Sequence, residues 1–485
     1  MGLLDDRRWE KCLFDGSWRP AASSEPQLEP ATGAVLAEIG QANVEDVARA
    51  AATAEAAQVS WANSEPKTRA AVLRRAAELM KDHYDELATW VVRETGAVPA
   101  KAETELLGFS VPDLEEAAGL AMLVSTETLA APDGLRSTAR RVPRGVIGVI
   151  SPFNFPVILG LRSVAPALAL GNAVVLKPGP QTQVTGGILF ARLFEEAGLP
   201  AGVLQVLMGG PEVGEAIVTD PKIQTISFTG STATGRRINE LAAPLLKKVT
   251  LELGGNNPFV VTQDADLDLA SSAGAWATFL HQGQICMTAG RHIVHEDVAE
   301  EYARLLIERA ERLPVGDPFT EQVALGPLIS QQQADRVTQI VDDSVAAGAT
   351  VRTGGTPEGQ YYPATVLTDV TRDMPVYTEE VFGPVAAIIT YSTDEEAIEL
   401  ANDTVYGLSA AVHAGSEDRG WSIAQHLRAG MVHVNDQTVN YASNAPIGGY
   451  GCSGNGGALG GAASVEEFTQ WQWVTARERG TAYPF

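Results

Sequence analysis

Cysteine is scarce in this sequence of 485 residues. It occurs at three positions, Cys12, Cys286 and Cys452, and so small and odd a number excludes a disulfide framework. Free thiols suit a reducing compartment, and the first eight residues lack the apolar run of a secretory signal. We therefore expect a cytoplasmic protein.

Positive charge and long apolar runs are also lacking. Lysine and arginine number 35 against 60 acidic residues, and the formal net charge of −25 repels nucleic acid and anionic membranes. The most apolar stretch, 145–176, is interrupted by prolines, by Asn154 and by Arg162. It therefore falls short of the ~20 consecutive apolar residues that a membrane span needs. We predict neither a nucleic-acid partner nor a membrane segment.

The middle of the chain alternates between two kinds of segment. Short apolar runs predict strands, and the amphipathic windows between them predict helices. The strands are expected at 146–150, 173–176, 203–207 and 225–228, and the helices at 157–170, 184–197 and 212–219. Such alternation is typical of a parallel sheet covered by helices on both faces, which binds ligands beyond the carboxyl ends of its strands.

The flanking segments complete an α/β chain that is long enough for two or more domains. A helix is predicted from Val44, with Asn43 as its N-cap, and one long helix at 68–94, with Ser64 as its N-cap. After Pro258 a second α/β region follows, with helices at 301–313 and 332–347 and strands at 385–390, 409–412 and 431–434. The tail 468–475 alternates as a strand, which must pair within this chain or with a neighbouring subunit.

Three stretches carry residues suited to catalysis. Cys286 lies between two apolar residues, and a cysteine of this kind is by itself most often a buried small hydrophobe. Glu252 precedes two glycines, 34 positions upstream (286 − 252 = 34), and Asn154 lies between two nearby prolines. A nucleophile, a carboxylate base and a fixed amide donor are the parts of covalent catalysis at a carbonyl group. Together the three stretches favour catalysis over packing.

Two loops that follow predicted strands suit phosphate binding. One contains Lys177, and the other, 228–235, is rich in glycine, serine and threonine and opens a helix. Ordinary turn and N-cap chemistry explains the second loop equally well, and it is not a G-x-G-x-x-G fingerprint. Glu380 belongs to an acidic pair that is also typical of a solvated loop. The glycine-dense stretch 448–461 predicts an ordered loop close to the site, with a mobile surface loop as the alternative.

The chain resembles the aldehyde dehydrogenase superfamily over essentially its whole length. The resemblance rests on six motifs in the family's order, namely Pro152-Phe153-Asn154-Phe155-Pro156, Lys177-Pro178, Phe228-Thr229-Gly230-Ser231, Glu252-Leu253-Gly254-Gly255, Gly283-Gln284-Ile285-Cys286 and Glu380-Val381-Phe382-Gly383-Pro384. Within the family, the strings at 281–287 and 468–475 look most like bacterial benzaldehyde and vanillin dehydrogenases.

The resemblance implies a subunit in three parts. A Rossmann-like cofactor domain would comprise 1–123 and 143–253, and an α/β catalytic domain 254–455. An arm at 124–142 would pair with the tail strand in 463–485 and build a homodimer or homotetramer.

The resemblance also implies a role for each matching residue. Cys286 would attack the aldehyde, Glu252 would activate water, and Asn154 would hold the oxyanion together with the Cys286 N–H. Lys177 and Glu380 would bind the ribose hydroxyls of the cofactor. The remaining cofactor-binding residues would be Ile150, Ser151, Pro152, Phe153, Gly210, Gly214, Phe228, Gly230, Ser231, Gly235, Leu253 and Phe382, and no metal ion is implied.

Three departures from the family's pattern bear on specificity. Pro180 stands where many members have a glutamate that binds the adenine ribose, so use of both NAD and NADP is expected. Ile447 replaces an aromatic residue of the substrate channel. The segment 451–461 lacks the basic residues that often follow.

The implied activity is NAD(P)-dependent oxidation of an aldehyde to a carboxylic acid, and the expected partner is a small-molecule aldehyde. The matching channel positions, 157–162, Ile285, Met287, Tyr441 and Ile447, are mostly apolar and favour an aromatic aldehyde. Arg162 is the one cation there that a semialdehyde could use, although a structural pairing at a helix surface is the simpler interpretation. The alternatives are an aliphatic or semialdehyde dehydrogenase, including a CoA-acylating one, and a non-catalytic member of the fold.

Overall fold

The computed structural model describes residues 2–123 and 126–485. Its strands are β1 (Cys12–Phe14), β2 (Trp18–Pro20), β3 (Ser23–Leu28), β4 (Val35–Gln41), β5 (Thr126–Thr128), β6 (Arg136–Pro143), β7 (Val146–Ile150), β8 (Ala173–Lys177), β9 (Leu204–Val206), β10 (Ile223–Thr229), β11 (Lys248–Glu252), β12 (Asn257–Val261), β13 (Ala289–His295), β14 (Thr350–Thr353), β15 (Thr365–Thr368), β16 (Val385–Tyr391), β17 (Ser409–His413), β18 (Met431–Val434) and β19 (Thr469–Ala476).

The α-helices are α1 (Val44–Ala62), α2 (Pro66–Asp82), α3 (Tyr84–Thr95), α4 (Pro99–Glu103), α5 (Val111–Leu123), α6 (Pro156–Ala169), α7 (Leu189–Glu196), α8 (Pro211–Thr219), α9 (Thr232–Ala242), α10 (Leu267–Phe279), α11 (Ala299–Ala310), α12 (Gln331–Ala346), α13 (Pro375–Thr378), α14 (Asp394–Asn402), α15 (Glu417–Ala424) and α16 (Ala463–Phe468). π-helical turns at Thr104–Ser110 and Val184–Ile188 precede α5 and α7.

The first large sheet has the strand order β11-β10-β7-β8-β9-β1-β2. Its strands β7 to β11 run parallel and are largely apolar, because helices such as α6 and α1 cover both faces. The predicted β-α-β alternation is confirmed, and each predicted strand lies within two residues of the observed one. The second large sheet, β14-β15-β16-β13-β12-β17-β18, begins at Asn257, as the second α/β region predicts.

A three-stranded sheet, β19-β6-β5, stands apart from the two large ones. The tail strand β19 pairs antiparallel with β6 along its whole length, from Thr469 opposite Pro143 to Ala476 opposite Arg136. The strand predicted for the tail is therefore confirmed, and its partner lies in the same chain. Residues 124 and 125, which begin the predicted arm, lie outside the described residues. The domain boundaries stay a prediction.

Two details of the N-terminal helices differ from the sequence-based prediction. Asn43 caps α1 through a reciprocal capping box with Asp46, as expected. The long helix predicted at 68–94 is wrong, because the chain leaves helical geometry at His83 and forms α2 and α3. Ser64 is not a cap either: Glu65 occupies that position, and the Ser64 hydroxyl donates to the Trp61 carbonyl instead.

No helix in the described part of the chain is long and apolar enough to cross a membrane. Nor does that part hold a group of three or more histidine, cysteine or acidic side chains arranged for a metal ion.

Candidate active site

The carboxyl ends of four parallel strands form one edge of the first sheet. Ile150 lies opposite Lys177 in the β7–β8 register, and Thr229 lies opposite Glu252 in the β10–β11 register. Since β7 also pairs with β10, these four residues form a row at the edge where parallel sheets bind ligands. Residues that are far apart in the sequence thus reach one site.

A cleft of about 480 Å³ opens along this edge. Most of the predicted cofactor residues line it, namely Ile150, Ser151, Pro152, Phe153, Lys177, Phe228, Gly230, Ser231, Leu253, Glu380 and Phe382. Gly210, Gly214 and Gly235 do not line it. Gly210 caps α8, Gly214 packs beneath the Lys177 stem, and Gly235 gives room to the Leu253 side chain.

The donors and acceptors of the cleft suit a dinucleotide. Ser231 is the N-cap of α9, so the positive end of this helix faces the cleft, as a pyrophosphate requires. The Lys177 ammonium group donates only to the Pro178 carbonyl at 3.3 Å among the described residues, and burial lowers its pKa to about 8. The Ser151 hydroxyl is buried without a partner there. These groups are free to bind hydroxyl and phosphate oxygens.

Glu380 does not belong to a solvated loop. Its carboxylate accepts a hydrogen bond from the Gly255 N–H at 3.0 Å, and burial raises its pKa to about 7. Two residues later, Phe382 meets the Phe153 ring edge to face at 5.9 Å between centroids. This aromatic pair borders the cleft beside the carboxylate.

A strained turn presents Cys286. His281, Gln282 and Gly283 have φ values of 49°, 56° and 67°, three consecutive residues in the left-handed region that non-glycine residues seldom adopt. A Cβ on Gly283 would meet the Gly383 carbonyl oxygen at 2.1 Å, so only glycine fits at this position. Strain of this kind needs support from its surroundings and is typical of functional sites.

The three candidate catalytic residues lie together in a narrow cavity of about 40 Å³ that joins the cleft. Both the cavity and the cleft are lined by Asn154 and Cys286, so the thiol lies where they meet. The Asn154 amide donates one N–H to the Gln284 carbonyl at 2.8 Å, which fixes its orientation and leaves its second N–H for a ligand. Glu252, at the end of β11, lines the cavity wall.

Burial dominates the electrostatics of this cavity. It raises the pKa of Glu252 to about 7 and the pKa of the Cys286 thiol to about 12. The thiol is therefore protonated at neutral pH without a ligand, and it needs a base or a nearby cation to become a nucleophile. Glu252 is about half ionised near neutral pH, which suits a general base.

Several residues of the site carry no clear signal in the sequence. The guanidinium of Arg162 lies 3.4 Å from the Glu252 carboxylate, and both side chains are buried. Arg162 is therefore paired, as the simpler interpretation has it, but the part of that interpretation that places it at a helix surface is wrong. The Tyr441 hydroxyl donates to Asp113 at 2.7 Å, and Asn257 donates to the Cys286 carbonyl at 2.9 Å. Asn257 lies two residues after the motif that ends at Gly255, whereas Asp113 lies in a helix that the sequence does not mark.

Of the channel positions predicted at 157–162, only those on one face of α6 reach the cavity. Ile158, Leu159 and Arg162 line the cavity, whereas Val157 and Leu161 point into the core of the first sheet. Helical periodicity explains the split, because residues at i, i+1 and i+4 share a face.

The glycine-dense segment 448–461 packs directly on the site. The Leu253 N–H donates to the Ser453 carbonyl at 2.9 Å, and the Ser453 hydroxyl donates to the Gly254 carbonyl at 2.6 Å. Ile447, in front of this segment, lines the cavity. The loop is thus ordered against Glu252 and Leu253, as one of the two sequence-based alternatives predicts.

Comparison with known proteins agrees with this geometry. A profile of the aldehyde dehydrogenase family matches residues 18–474. The chain is 50% identical to a vanillin dehydrogenase of Amycolatopsis sp., with 100% of both chains covered, and 50% identical to a benzaldehyde dehydrogenase [NAD(+)] of Pseudomonas putida, with 98% of both covered. A crystal structure of a salicylaldehyde dehydrogenase from Pseudomonas putida G7, complexed with salicylaldehyde, superposes with a TM-score of 0.94 at 35% identity and covers 98% of this chain and 99% of that one. With a cysteine, a glutamate and an asparagine gathered beside a dinucleotide-sized cleft, the chain belongs to the aldehyde dehydrogenase family.

Proposed function

We propose that this protein oxidises aromatic aldehydes to carboxylic acids with a nicotinamide dinucleotide. The observation that carries the proposal is the apolar cavity that begins at Cys286. Its wall includes the aromatic pair Phe109 and Tyr441, whose ring centroids are 4.9 Å apart, together with Phe155, Ile158, Leu159, Ile285, Met287, Val439 and Ile447. A flat apolar ring is the ligand that such a wall favours.

The residues of the cavity suit each step of the reaction. Cys286 loses its proton and its sulfur bonds to the carbonyl carbon, and the oxygen becomes an oxyanion between the Asn154 amide and the Cys286 N–H. A bound nicotinamide dinucleotide supplies the acceptor for the hydride that leaves this carbon. Glu252 then takes a proton from water, whose oxygen bonds to the thioester carbon as the carbon–sulfur bond breaks. The acid leaves, and the freed thiolate takes the proton held by Glu252, while the proton that Cys286 lost at the start has gone to solvent.

We further propose that the protein uses both NAD and NADP. Pro180 lines the cleft close to Lys177 and can neither accept a hydrogen bond from a ribose 2′-hydroxyl nor repel a 2′-phosphate. The Glu212 carboxylate raises the pKa of Lys177 against the effect of burial and so helps to keep this lysine positively charged.

We also propose that the protein forms a homodimer or homotetramer and that it lies in the cytoplasm. On the tail strand β19, the side chains of Trp471 and Trp473 are half or more exposed, an apolar surface at a sheet edge that another subunit would cover. The three cysteines carry free thiols, as in a reducing compartment. Light scattering on the purified protein tests the oligomeric state, and a monomer would contradict this part of the proposal.

A panel of aldehydes tests the activity. Benzaldehyde, a hydroxylated benzaldehyde, an aliphatic aldehyde and succinate semialdehyde are each assayed for reduced nicotinamide with NAD and with NADP. We expect turnover without CoA, because Glu252 lines the cavity and can activate water. Among the substrates, we expect the aromatic aldehydes to have the highest kcat/KM. An absolute requirement for CoA, or silence with every aldehyde, would contradict the proposal. A preference for succinate semialdehyde would contradict the substrate class.

A further inference from the structure

Arg162 is the one residue of the cavity wall that carries a full positive charge. It lies on α6, eight residues after Asn154 (162 − 154 = 8). The carboxylate of Glu105 accepts hydrogen bonds from the Val157 and Ile158 N–H groups and thereby holds the first turn of this helix. The Arg162 side chain is 7% exposed and lies beside Glu252. A strongly charged group is therefore held in an apolar wall next to the candidate base.

The guanidinium of Arg162 is poorly satisfied. Its Nε is buried without a partner among the described residues, and its Nη2 makes only a long contact, 3.4 Å, with Glu252 Oε2. The other carboxylate oxygen, Glu252 Oε1, is also buried without a partner. A guanidinium has five N–H donors, and leaving them unpaired inside a protein costs free energy.

Two structural arginines show what a satisfied guanidinium looks like in the same chain. Arg291 is fully buried and donates to the carbonyls of Asn256, Leu400 and Ala401 at 2.8–3.2 Å. Arg69 donates to the Ala169 carbonyl at 2.8 Å, at the end of α6. Arg162 lacks such partners, so support of the fold does not explain its position.

The charge of Arg162 acts on every acid of the cavity. It lowers the pKa values of Glu252, Asp113 and the Cys286 thiol, each of which burial raises. For Glu252 and Asp113 the result is a pKa of about 7. The remaining titratable groups that face this cluster are Glu116, Glu380, Tyr441 and Glu467. All four are acids, so Arg162 is the only cation acting on the cluster among the described residues.

We propose that Arg162 is a positioning residue for Glu252: its guanidinium keeps the carboxylate ionised and aligned, so that water can be activated at neutral pH. The proposal rests on the proposed function. The loose contact of 3.4 Å is part of it, since a carboxylate that formed a tight bidentate pair would be less free to accept a proton from water.

The test is a pH profile measured on Arg162→Met. Removal of an opposite charge at this distance raises a carboxyl pKa by about 1–3 units. We therefore expect the acidic limb of steady-state turnover with benzaldehyde to move upward by about 1–3 pH units. Turnover at neutral pH should fall about fivefold for a rise of one pKa unit, and further for a larger rise, because about half of the Glu252 carboxyl is ionised there in the wild type. The amplitude of the first burst of reduced cofactor should stay near one per site, because Cys286 and Asn154 are unchanged, and its rate should fall, because Arg162 also lowers the pKa of the thiol. Arg162→Lys keeps the charge, so its acidic limb should lie close to that of the wild type.

Arg69→Met is the matched control. Arg69 lies on α2, and its buried guanidinium donates to the C-terminal end of α6, far along that helix from Arg162. The substitution therefore removes a buried guanidinium that makes no recorded contact with Glu252. We expect a lower Tm and an unchanged acidic limb. If Arg162→Met does not fold, Arg162→Gln is measured instead, since it keeps hydrogen-bond donors and loses the charge.

The possible outcomes separate the two proposals. A wild type that reduces no cofactor with any aldehyde defeats the proposed function. An active wild type whose acidic limb stays in place in Arg162→Met or Arg162→Gln defeats the positioning role. A second outcome also defeats the positioning role. If the variant changes only the KM for 4-hydroxybenzaldehyde, Arg162 recognises an oxygen on the substrate ring.

Discussion

The cleft and the cavity that meet at Cys286 are built in opposite ways. The cleft, of about 480 Å³, is formed largely by short loops that follow the strands of one sheet, each loop a contiguous motif. The cavity, of about 40 Å³, is formed by side chains from separate elements, including Phe109 before α5, Arg162 on α6 and Tyr441 after β18. The cleft should therefore determine which cofactor is preferred, and the cavity should determine the reactivity of the catalytic groups.

Charge follows the same division. In the cleft, Lys177 and the α9 N-terminus present positive groups to a ligand, and the Lys177 ammonium donates only to the Pro178 carbonyl among the described residues. In the cavity, Glu252 and Cys286 are buried with Arg162, and burial shifts the pKa of both acids upward. Substitutions in the cavity should therefore change chemistry by orders of magnitude, whereas substitutions in the cleft should change the preference between cofactors.

Replacement of the nucleophile gives the largest expected effect and separates the two regions most sharply. Cys286→Ala should lower turnover on the order of 10⁶-fold, because the covalent step needs sulfur. Cofactor affinity, measured by calorimetry, should stay nearly unchanged, because the cleft keeps its donors. Cys12→Ala and Cys452→Ala are the controls and should stay active. A comparable loss in a folded Cys12→Ala protein would contradict the assignment of Cys286.

Replacement of the base should slow hydrolysis of the thioester more than it slows hydride transfer. Glu252→Gln keeps the shape and removes the proton acceptor, so hydrolysis of the thioester should slow about 10²–10⁴-fold. Rapid mixing should show a burst of nearly one reduced cofactor per site, followed by slow turnover.

The pH profile of the wild type gives an independent check. With a pKa raised to about 7, the Glu252 carboxyl ionises as the pH rises through neutrality, so turnover should rise there and level off above it. Glu252→Gln should lack this limb. Equal slowing of burst and turnover would mean that Glu252 chiefly deprotonates the thiol.

Removal of the oxyanion donor should have a smaller effect. Asn154→Ala should cost about 10²–10³ in the rate of the burst phase if its amide is a principal donor. Asn256→Ala is a suitable control, because the Asn256 amide is buried outside the cavity and donates to the Tyr377 and Glu379 carbonyls. We expect the control to lower Tm and to keep most of the burst rate. Similar losses in both variants would indicate general destabilisation.

The smallest expected effect belongs to the cleft. Pro180→Glu should raise the NAD/NADP ratio of kcat/KM about tenfold, roughly 1.4 kcal/mol, mainly because a carboxylate repels the 2′-phosphate. If the wild type already rejects NADP by more than about a hundredfold, roughly 2.7 kcal/mol, Pro180 does not determine the preference.

Local patterns in the sequence were sufficient for much of the fold. The alternation after residue 145 predicts β7, β8, β9 and β10, because buried parallel strands are short apolar runs between amphipathic helices. The break at His83 was not predictable, since the apolar spacing continues through α2 and α3 and only the backbone at that residue changes. The turn at His281 and Gln282 was equally hidden, because positive φ is uncommon for any non-glycine residue and nothing in the local pattern marks two such residues in a row.

The sequence by itself determined the family, the three catalytic candidates and most of the residues that line the cleft. The family is recognised from six contiguous motifs, and the candidate residues lie within them as residue types that suit nucleophilic attack, proton transfer and phosphate binding. The tertiary structure alone decided that Arg162 lies beside Glu252, that Asp113 accepts from Tyr441, and that only one face of α6 reaches the cavity. These contacts join residues 90 and 328 positions apart (252 − 162 = 90; 441 − 113 = 328). Their effect is electrostatic, and it arises from burial that no single segment of the chain can provide on its own.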